Sequence, residues 1–228
     1  MPGYTPFSLR DDKALRHELI AAMRGRGVSI SLGEGCIVRP GRDIHDLAGD
    51  LDIFQELGAE RINTVSVDPD LSRSLDQFGE LAEMSAARGM KSSIELCPVL
   101  TINTLASAVA AVRHVGRKDF TLLLDTMHLG RSGATVAEIA ALDPAMIGYI
   151  QLCDAPLKPT NPNYMDEATF DRIVPGEGEL PLRDYLSVLP RDVVVSLEVP
   201  SRALVKAGLS PRDRLERCVK AARAMLNT

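Results

Sequence analysis

The sequence contains no tryptophan, and aromatic residues make up only 4% of its 228 residues. Proteins that bind single-stranded nucleic acid stack the bases on aromatic side chains, so this scarcity argues against that function. Lysine and arginine are interspersed among the acidic residues, and the net charge is -5. Without a basic run or patch, the sequence predicts neither nucleic acid nor a membrane surface as a partner.

Several motifs are also missing. The four cysteines, Cys36, Cys97, Cys153 and Cys218, form no Cys-x-x-Cys pair. A chain of this length builds its core without disulfides, so a cytoplasmic location is expected. Neither a signal peptide nor an apolar run long enough to span a bilayer is found. The absence of a P-loop and of a GxGxxG motif argues against nucleotide-driven chemistry.

Six short segments rich in valine, isoleucine and leucine have the composition of buried strands. They are residues 28–32, 62–67, 91–96, 120–125, 147–152 and 193–199. Successive strands begin about every 30 residues and alternate with amphipathic helical patterns, as in the units of a (β/α)8 TIM barrel. The predicted helices are residues 11–24, 43–57, 70–87, 104–115, 134–141, 182–189 and 210–226.

The predicted fold is α/β, a TIM barrel in one domain over residues 1–228. A closed barrel of this type has eight strands and the pattern yields six, so we expect the chain to lack the N-terminal β-α-β portion. Part of a substrate pocket would then be absent. The one long connection, residues 153–191, is polar and proline-rich, which is typical of a lid or binding loop.

Four polar side chains end the apolar runs: Glu95, Asp125, Gln151 and Glu198. The C-terminal ends of barrel strands converge on one mouth, where we expect these side chains to meet. Their oxygens suit a hard divalent cation such as Mg²⁺, Mn²⁺ or Co²⁺, and the cation would neutralise three mutually repelling carboxylates. Zn²⁺ is less favoured because no histidine needs to bind it, although Cys97 and Cys153 could serve as zinc ligands.

Each of the four has a simpler alternative explanation. Glu95 has the position of a solvated residue at a strand end, and Asp125 that of the N-cap of a following helix. Gln151 has the character of a core residue that forms hydrogen bonds. Glu198 is the least easily explained by packing, because an apolar run surrounds it.

Two further residues are candidates for binding substrate oxygens. His128 lies three residues after Asp125, at the rim of the predicted mouth, and a histidine there can bind or protonate an oxygen. Its alternative is a loop histidine bonded to the backbone. Arg172 precedes the turn sequence VPGEG and can hold a carboxylate, phosphate or hydroxyl group.

The ordered set of motifs resembles the sugar phosphate isomerase/epimerase group of the xylose isomerase-like TIM barrels. The matching segments are IEL at Glu95, LLLDTMH at Asp125 and His128, YIQLCDAP at Gln151, RIVPGEG at Arg172 and VSLEVP at Glu198. The resemblance implies one divalent metal bound by Glu95, Asp125, Gln151 and Glu198. It further implies that Glu95 and Glu198 act as the acid/base pair, and that His128 and Arg172 hold substrate oxygens.

The sequence departs from the pattern of the family at two positions. Many epimerases of this kind have histidine at the position of Gln151, and many ketose epimerases have glutamate at the position of Thr101, which places a free ketohexose substrate in doubt. The glutamine in QLCDAP also resembles the metal-dependent 3-dehydroshikimate dehydratases, which are built on the same barrel.

The leading hypothesis is an enzyme: a metal-dependent isomerase or epimerase of a small sugar or polyol-derived hydroxy-ketone. The alternative is a dehydratase of the 3-dehydroshikimate type. Endonuclease IV shares the barrel, but its three-metal site needs many histidines, and this chain has four. A metal-free fragment serving as an interaction module is the non-enzymatic alternative. The expected partner is a small-molecule substrate, and a homodimer is compatible with the sequence.

Overall fold

A computed structural model describes residues 7–227, and its centre is a parallel sheet of six strands. The strands lie side by side in chain order, as successive β/α units of a barrel do. They are β1 (Gly33–Val38), β2 (Arg61–Ser66), β3 (Lys91–Glu95), β4 (Phe120–Asp125), β5 (Ile147–Leu152) and β6 (Val195–Leu197). The predicted α/β class and the count of six strands, a partial barrel, are confirmed; one domain over residues 1–228 stays a prediction.

Helices follow every strand and cover one face of the sheet. They are α1 (Lys13–Arg24), α2 (Ala48–Leu57), α3 (Leu71–Ala86), α4 (Leu105–Val115), α5 (Thr126–Ser132), α6 (Val136–Ala140), α7 (Tyr164–Phe170), α8 (Leu182–Val188), α9 (Arg202–Lys206) and α10 (Pro211–Leu226). The predicted helices are present, whereas α5, α7 and α9 were not predicted. Across residues 7–227, no helix has the length and apolar character needed to cross a membrane.

The first predicted strand is wrong. Residues 28–32 form irregular backbone, and β1 lies over the glycine-rich segment that follows. Gly33 is required there, because a Cβ would come within 2.6 Å of the Phe54 ring. Gly35 has a φ of 100°, and the pairing of β1 with β2 shifts register around it. Glycine lowers strand propensity, so the pattern favoured the more apolar residues just before this strand.

The two faces of the sheet differ in chemistry. Side chains alternate along a strand, and one set, including Ile62, Ile94 and Leu122, is fully buried in the apolar core with the helices. The opposite face is polar. Arg61 donates hydrogen bonds from Nη1 to Ser93 Oγ at 3.0 Å and to Thr121 Oγ1 at 2.9 Å. This polar layer lies below the strand ends, on the face that carries the candidate site.

The long connection after β5 is more ordered than a loop. It contains α7 and α8, and the buried carboxylate of Asp154 fastens its glycine turn. That carboxylate accepts the backbone N–H groups of Gly176, Gly178 and Leu180 at 2.9–3.1 Å. Residues of α7 line the cavity at the strand ends, as expected for a segment that covers a binding site.

Candidate active site

The structure brings the four polar strand ends together. Asp125 is the register partner of Gln151 on the neighbouring strand, so their side chains point the same way. Glu95 is the last residue of β3. Glu198 comes directly after β6, because this strand is shorter than predicted. Ligand atoms of Glu95, Asp125 and Glu198 all lie within 4.8 Å of one another. Three acidic groups from three β/α units therefore share one small volume.

A cavity of about 260 Å³ opens beside these carboxylates. Its size suits a small molecule rather than a polymer. Glu95, His128, Arg172 and Glu198 all line it. Further lining residues come from β1, from β2 and from α7 and its flank: Glu34, Asn63, Met165, Ala168 and Thr169.

Arg172 lies inside the carboxylate cluster and is only 3% exposed. Its Nη1 contacts Asp125 Oδ2 and lies 3.1 Å from Glu198 Oε2, while Nε donates to the carbonyl of Ala168 at 2.7 Å. Burial lowers its pKa, but the carboxylates around it outweigh this and hold the pKa well above the usual value. The guanidinium is therefore a permanent positive charge within the cluster, and its predicted contact with substrate stays a prediction.

The three carboxyl groups differ in proton affinity. Burial, followed by repulsion from Asp125 and Glu198, raises the pKa of Glu95 well above its ordinary range. Burial raises the pKa of Glu198 to about 8. Burial acts in the same direction on Asp125, but Arg172 and His128 outweigh it and lower the pKa of that group. Titratable groups whose environments separate their pKa values in this way are typical of acid/base sites.

His128 lies in the first turn of α5, where its backbone N–H donates to Asp125 Oδ1 at 2.9 Å. Asp125 is thus a helix N-cap, as its alternative explanation predicted, and a member of the cluster as well. His128 Nδ1 is hydrogen-bonded to the hydroxyl of Tyr164, and Nε2 lies 3.6 Å from Glu95 Oε1. Burial lowers the pKa of His128 to about 4, so the ring is neutral at physiological pH.

The donor set fits a divalent cation. Gln151 donates from Nε2 to Glu34 Oε1 at 2.8 Å, which leaves its buried Oε1 without a hydrogen bond. Glu198 Oε2 is within ion-pair distance of Arg172, yet it is also buried without a hydrogen bond. Oxygens of Asp125 that already accept a hydrogen bond keep a second lone pair. Unsatisfied oxygens beside three carboxylates suit a hard cation.

The two cysteines that leave Zn²⁺ as an option, Cys97 and Cys153, are buried thiols. Burial raises the pKa of Cys97 to about 11 and that of Cys153 to about 12, so both thiols stay protonated. Cys153 Sγ accepts a hydrogen bond from Arg172 at 3.2 Å, and Cys97 lines the cavity. In the metal-free protein the charged oxygen donors of the cluster are therefore the carboxylates, and neither cysteine is a thiolate.

Three residues of the site were not predicted from the sequence: Glu34, Asn63 and Tyr164. Asn63 donates from Nδ2 to Glu95 Oε2 at 2.7 Å. Asn63 lies in the middle of β2, next to Thr64, so neither a strand end nor a regular alternation marks it in the sequence. Glu34 lies in β1, which the sequence pattern did not predict. Tyr164 begins a helix whose sequence has no clear periodicity.

Residues 6–225 of the sequence match the family model of the xylose isomerase-like TIM barrel. The chain belongs to this family. Several family members have measurable sequence identity to it. An inosose isomerase of Halalkalibacterium halodurans is 31% identical over 112 residues, which is 48% of this chain and 38% of that protein. A 3-dehydroshikimate dehydratase of Pseudomonas aeruginosa is 29% identical over 161 residues, 68% of this chain and 25% of that protein. The matches thus span less than half of either relative.

Solved structures show the same xylose isomerase-like fold. The IOLI protein, solved with a bound zinc atom, superposes with a TM-score of 0.79 at 21% identity, covering 96% of this chain and 82% of that one. A D-psicose 3-epimerase solved with D-fructose gives a TM-score of 0.72 at 16% identity, covering 96% and 86%. At these identities the likeness establishes the fold.

The metal-free protein is expected to lose stability as the pH rises from 6.5 to 8. The pKa of Glu198 is about 8 in the folded state and near its ordinary 4.5 in the unfolded chain. In this window the folded state holds a proton that the unfolded chain has released. Each such proton lowers the free energy of unfolding by at most about 1.4 kcal/mol per pH unit. Solvent screening reduces this slope, since 33% of the Glu198 side chain is exposed.

Below pH 6.5 the buried His128 has the opposite effect, because its folded pKa of about 4 lies under the unfolded value. The window above 6.5 therefore isolates the glutamates. Denaturant unfolding in the presence of chelator measures the slope, and Glu198→Gln should make it shallower. Equal slopes in the two proteins would contradict the prediction.

We expect one divalent cation to bind per chain, and Glu198→Gln to weaken its affinity by about tenfold or more, since a charged ligand is lost. Elemental analysis and calorimetric titration with Mn²⁺ measure stoichiometry and affinity. Glu177→Gln is the matched control, because Glu177 is exposed and pairs with Arg217. An equal, near-zero metal content in wild type and Glu198→Gln would contradict the predicted metal site.

Proposed function

We propose that the chain is a divalent-metal-dependent isomerase or epimerase of a small hydroxy-ketone derived from a sugar or polyol. The observation that carries this proposal is the pair of glutamates, Glu95 and Glu198, which line one cavity with their ligand atoms within 4.8 Å. Both have a raised pKa, and that of Glu198 is about 8, so Glu198 can hold or release a proton near neutral pH. The inosose isomerase relative supports the same reaction class.

In this mechanism one glutamate removes the proton from the carbon next to the substrate carbonyl, and the other returns a proton to the neighbouring carbon or to the opposite face. Glu95 Oε2 accepts a hydrogen bond from Asn63, and Oε1 lies 3.6 Å from His128 Nε2. Neutral His128 offers a ring nitrogen near Glu95 for a substrate oxygen. A bound divalent cation would polarise the carbonyl and stabilise the negative charge that develops on its oxygen.

Asp125 and Gln151 would hold the cation together with the two glutamates. Asp125 is suited to a permanent ligand because its pKa is lowered, so it stays ionised while the glutamates exchange protons. Gln151 Oε1 is suited because it is buried and has no hydrogen-bond donor. The proposed partner is thus a small molecule, with a homodimer remaining a prediction.

A dehydratase of the 3-dehydroshikimate type is the second candidate. The amide ligand Gln151 and the match over 68% of this chain to a 3-dehydroshikimate dehydratase favour it. Such a reaction also begins with removal of a proton next to a ketone, but water then leaves and a conjugated product forms. The two candidates share the same base and differ in the fate of the neighbouring hydroxyl group.

One pair of assays separates them. Metal-loaded protein is incubated in D₂O with an inosose, and NMR follows deuterium uptake next to the carbonyl and the appearance of a second isomer. A parallel incubation with 3-dehydroshikimate follows ultraviolet absorbance. We expect deuterium uptake and isomer formation without an absorbance rise. An absorbance rise assigns the dehydratase, and no change in either assay contradicts both.

A further inference from the structure

Asn63 is a buried amide whose two ends have different surroundings. It lies on β2 with only 5% of its surface exposed, and it lines the cavity. Its register partner is Ser93, two residues before Glu95, so Asn63 and Glu95 share one face of the sheet. Nδ2 donates to Glu95 Oε2 at 2.7 Å, whereas the buried Oδ1 has no hydrogen-bond partner.

The orientation of this amide is determined by Glu95. With Glu95 ionised, as it would be when it binds a cation, a flipped amide would place its oxygen against a carboxylate oxygen, which removes a hydrogen bond and adds repulsion. Oδ1 is therefore the atom that can accept a hydrogen bond from another donor. A buried acceptor without a donor is unfavourable, and none of the described residues supplies one.

We propose that Asn63 is a specificity-determining residue that accepts a hydrogen bond from a substrate hydroxyl group while it positions Glu95. The inference rests on the proposed function, because Glu95 acts there on the carbon next to the carbonyl. The same amide thus holds the base in position and recognises a hydroxyl group near that carbon. A ligand carbonyl or carboxylate oxygen carries no proton and does not satisfy Oδ1.

The charges around the cavity agree with a ligand that donates hydrogen bonds on this side. Glu34, on the neighbouring strand β1, is a second acceptor that lines the cavity. Among the described residues lining it, Arg172 is the only lysine or arginine, and Arg172 already pairs with Asp125 and Glu198. The side of the cavity near Asn63 therefore presents acceptors, which suits the hydroxyl groups of a neutral polyol ketone.

The test compares an inosose with its monodeoxy analogues, one for each ring position, on metal-loaded full-length protein. Calorimetry measures binding, and deuterium uptake measures kcat/KM. We expect wild type to bind the analogue that lacks one particular hydroxyl about tenfold more weakly than the parent, because Oδ1 then stays unpaired. In Asn63→Leu, which lacks the amide, the same pair of ligands should differ less than about twofold.

Asn63→Asp keeps an acceptor and removes the donor to Glu95. It should retain the discrimination in binding while kcat falls, since the hydrogen bond that positions Glu95 is lost. This variant also decides the outcome if Asn63→Leu does not fold. Equal discrimination in wild type and Asn63→Leu, no discrimination by wild type, or no binding of any polyol ketone would each overturn the proposal. If wild type discriminates between the ligands in binding but no deuterium is taken up, the role of Asn63 in recognition is retained. The proposed reaction is then rejected.

Discussion

Replacing Glu95 with glutamine is expected to slow deuterium uptake next to the substrate carbonyl by about 10³-fold, because a general base contributes about 10²–10⁴-fold. The amide has nearly the same shape and keeps an oxygen for the cation. Its oxygen can still accept the hydrogen bond from Asn63 Nδ2. What it loses is the ability to take a proton, so the effect belongs to kcat rather than to folding.

The control for this experiment is Cys97→Ser, because Cys97 lines the same cavity and has no proposed role in proton transfer. Its exchange rate should stay within about threefold of wild type, since a thiol and a hydroxyl differ little in volume. Metal content and thermal unfolding are measured for both variants. If Glu95→Gln exchanges deuterium at the wild-type rate and its metal content is unchanged, Glu95 has no role in proton transfer.

Arg172→Leu is expected to lower the free energy of unfolding of the metal-free protein by about 3–5 kcal/mol, the usual cost of leaving a buried charge without its partner. Asp125 is fully buried and contacts the guanidinium that the substitution removes. A divalent cation can replace the missing positive charge, so Mn²⁺ should restore part of the lost stability. Denaturant unfolding with chelator and with Mn²⁺ gives the two values.

Arg131→Leu supplies the matched comparison. Arg131 and Glu167 form another buried ion pair, with side chains 4% and 1% exposed, and neither residue lines the cavity. We expect a similar loss of stability in that variant and no recovery with Mn²⁺. Equal recovery in both variants would show that the cation acts elsewhere on the protein, and no recovery in Arg172→Leu would argue against a cation at Asp125.

The two strands that were predicted with correct bounds, β4 and β5, are almost entirely buried. β4 and β5 begin and end where the sequence pattern placed them, since every residue of β4 is buried. β1 was missed because its glycines serve a close approach to Phe54 and a shift in register. Helix α7 was missed because its sequence lacks clear periodicity, while the cap at Asn163 and contacts with the site support it.

The four predicted metal ligands, Glu95, Asp125, Gln151 and Glu198, followed from a rule about strand ends, which needs no knowledge of side-chain contacts. Asn63 and Glu34 could not be found in that way. Their importance lies in hydrogen bonds to Glu95 and Gln151 across 32 and 117 residues of sequence, and such contacts exist only in the folded chain. Likewise, the pairing of Arg172 with Asp125 depends on how the segment after β5 returns to the sheet.

The chain-order arrangement of the strands has a consequence for how the protein folds. Glu95, Asp125, Gln151 and Glu198 come from consecutive units, so an intermediate that has assembled only β1 to β3 holds a single one of them. High-affinity cation binding is therefore expected only after β6 has docked. Because a ligand that binds only the native state draws the equilibrium toward it, the cation would favour the last step of assembly. The time course of Mn²⁺ uptake during refolding would report docking of the final strand.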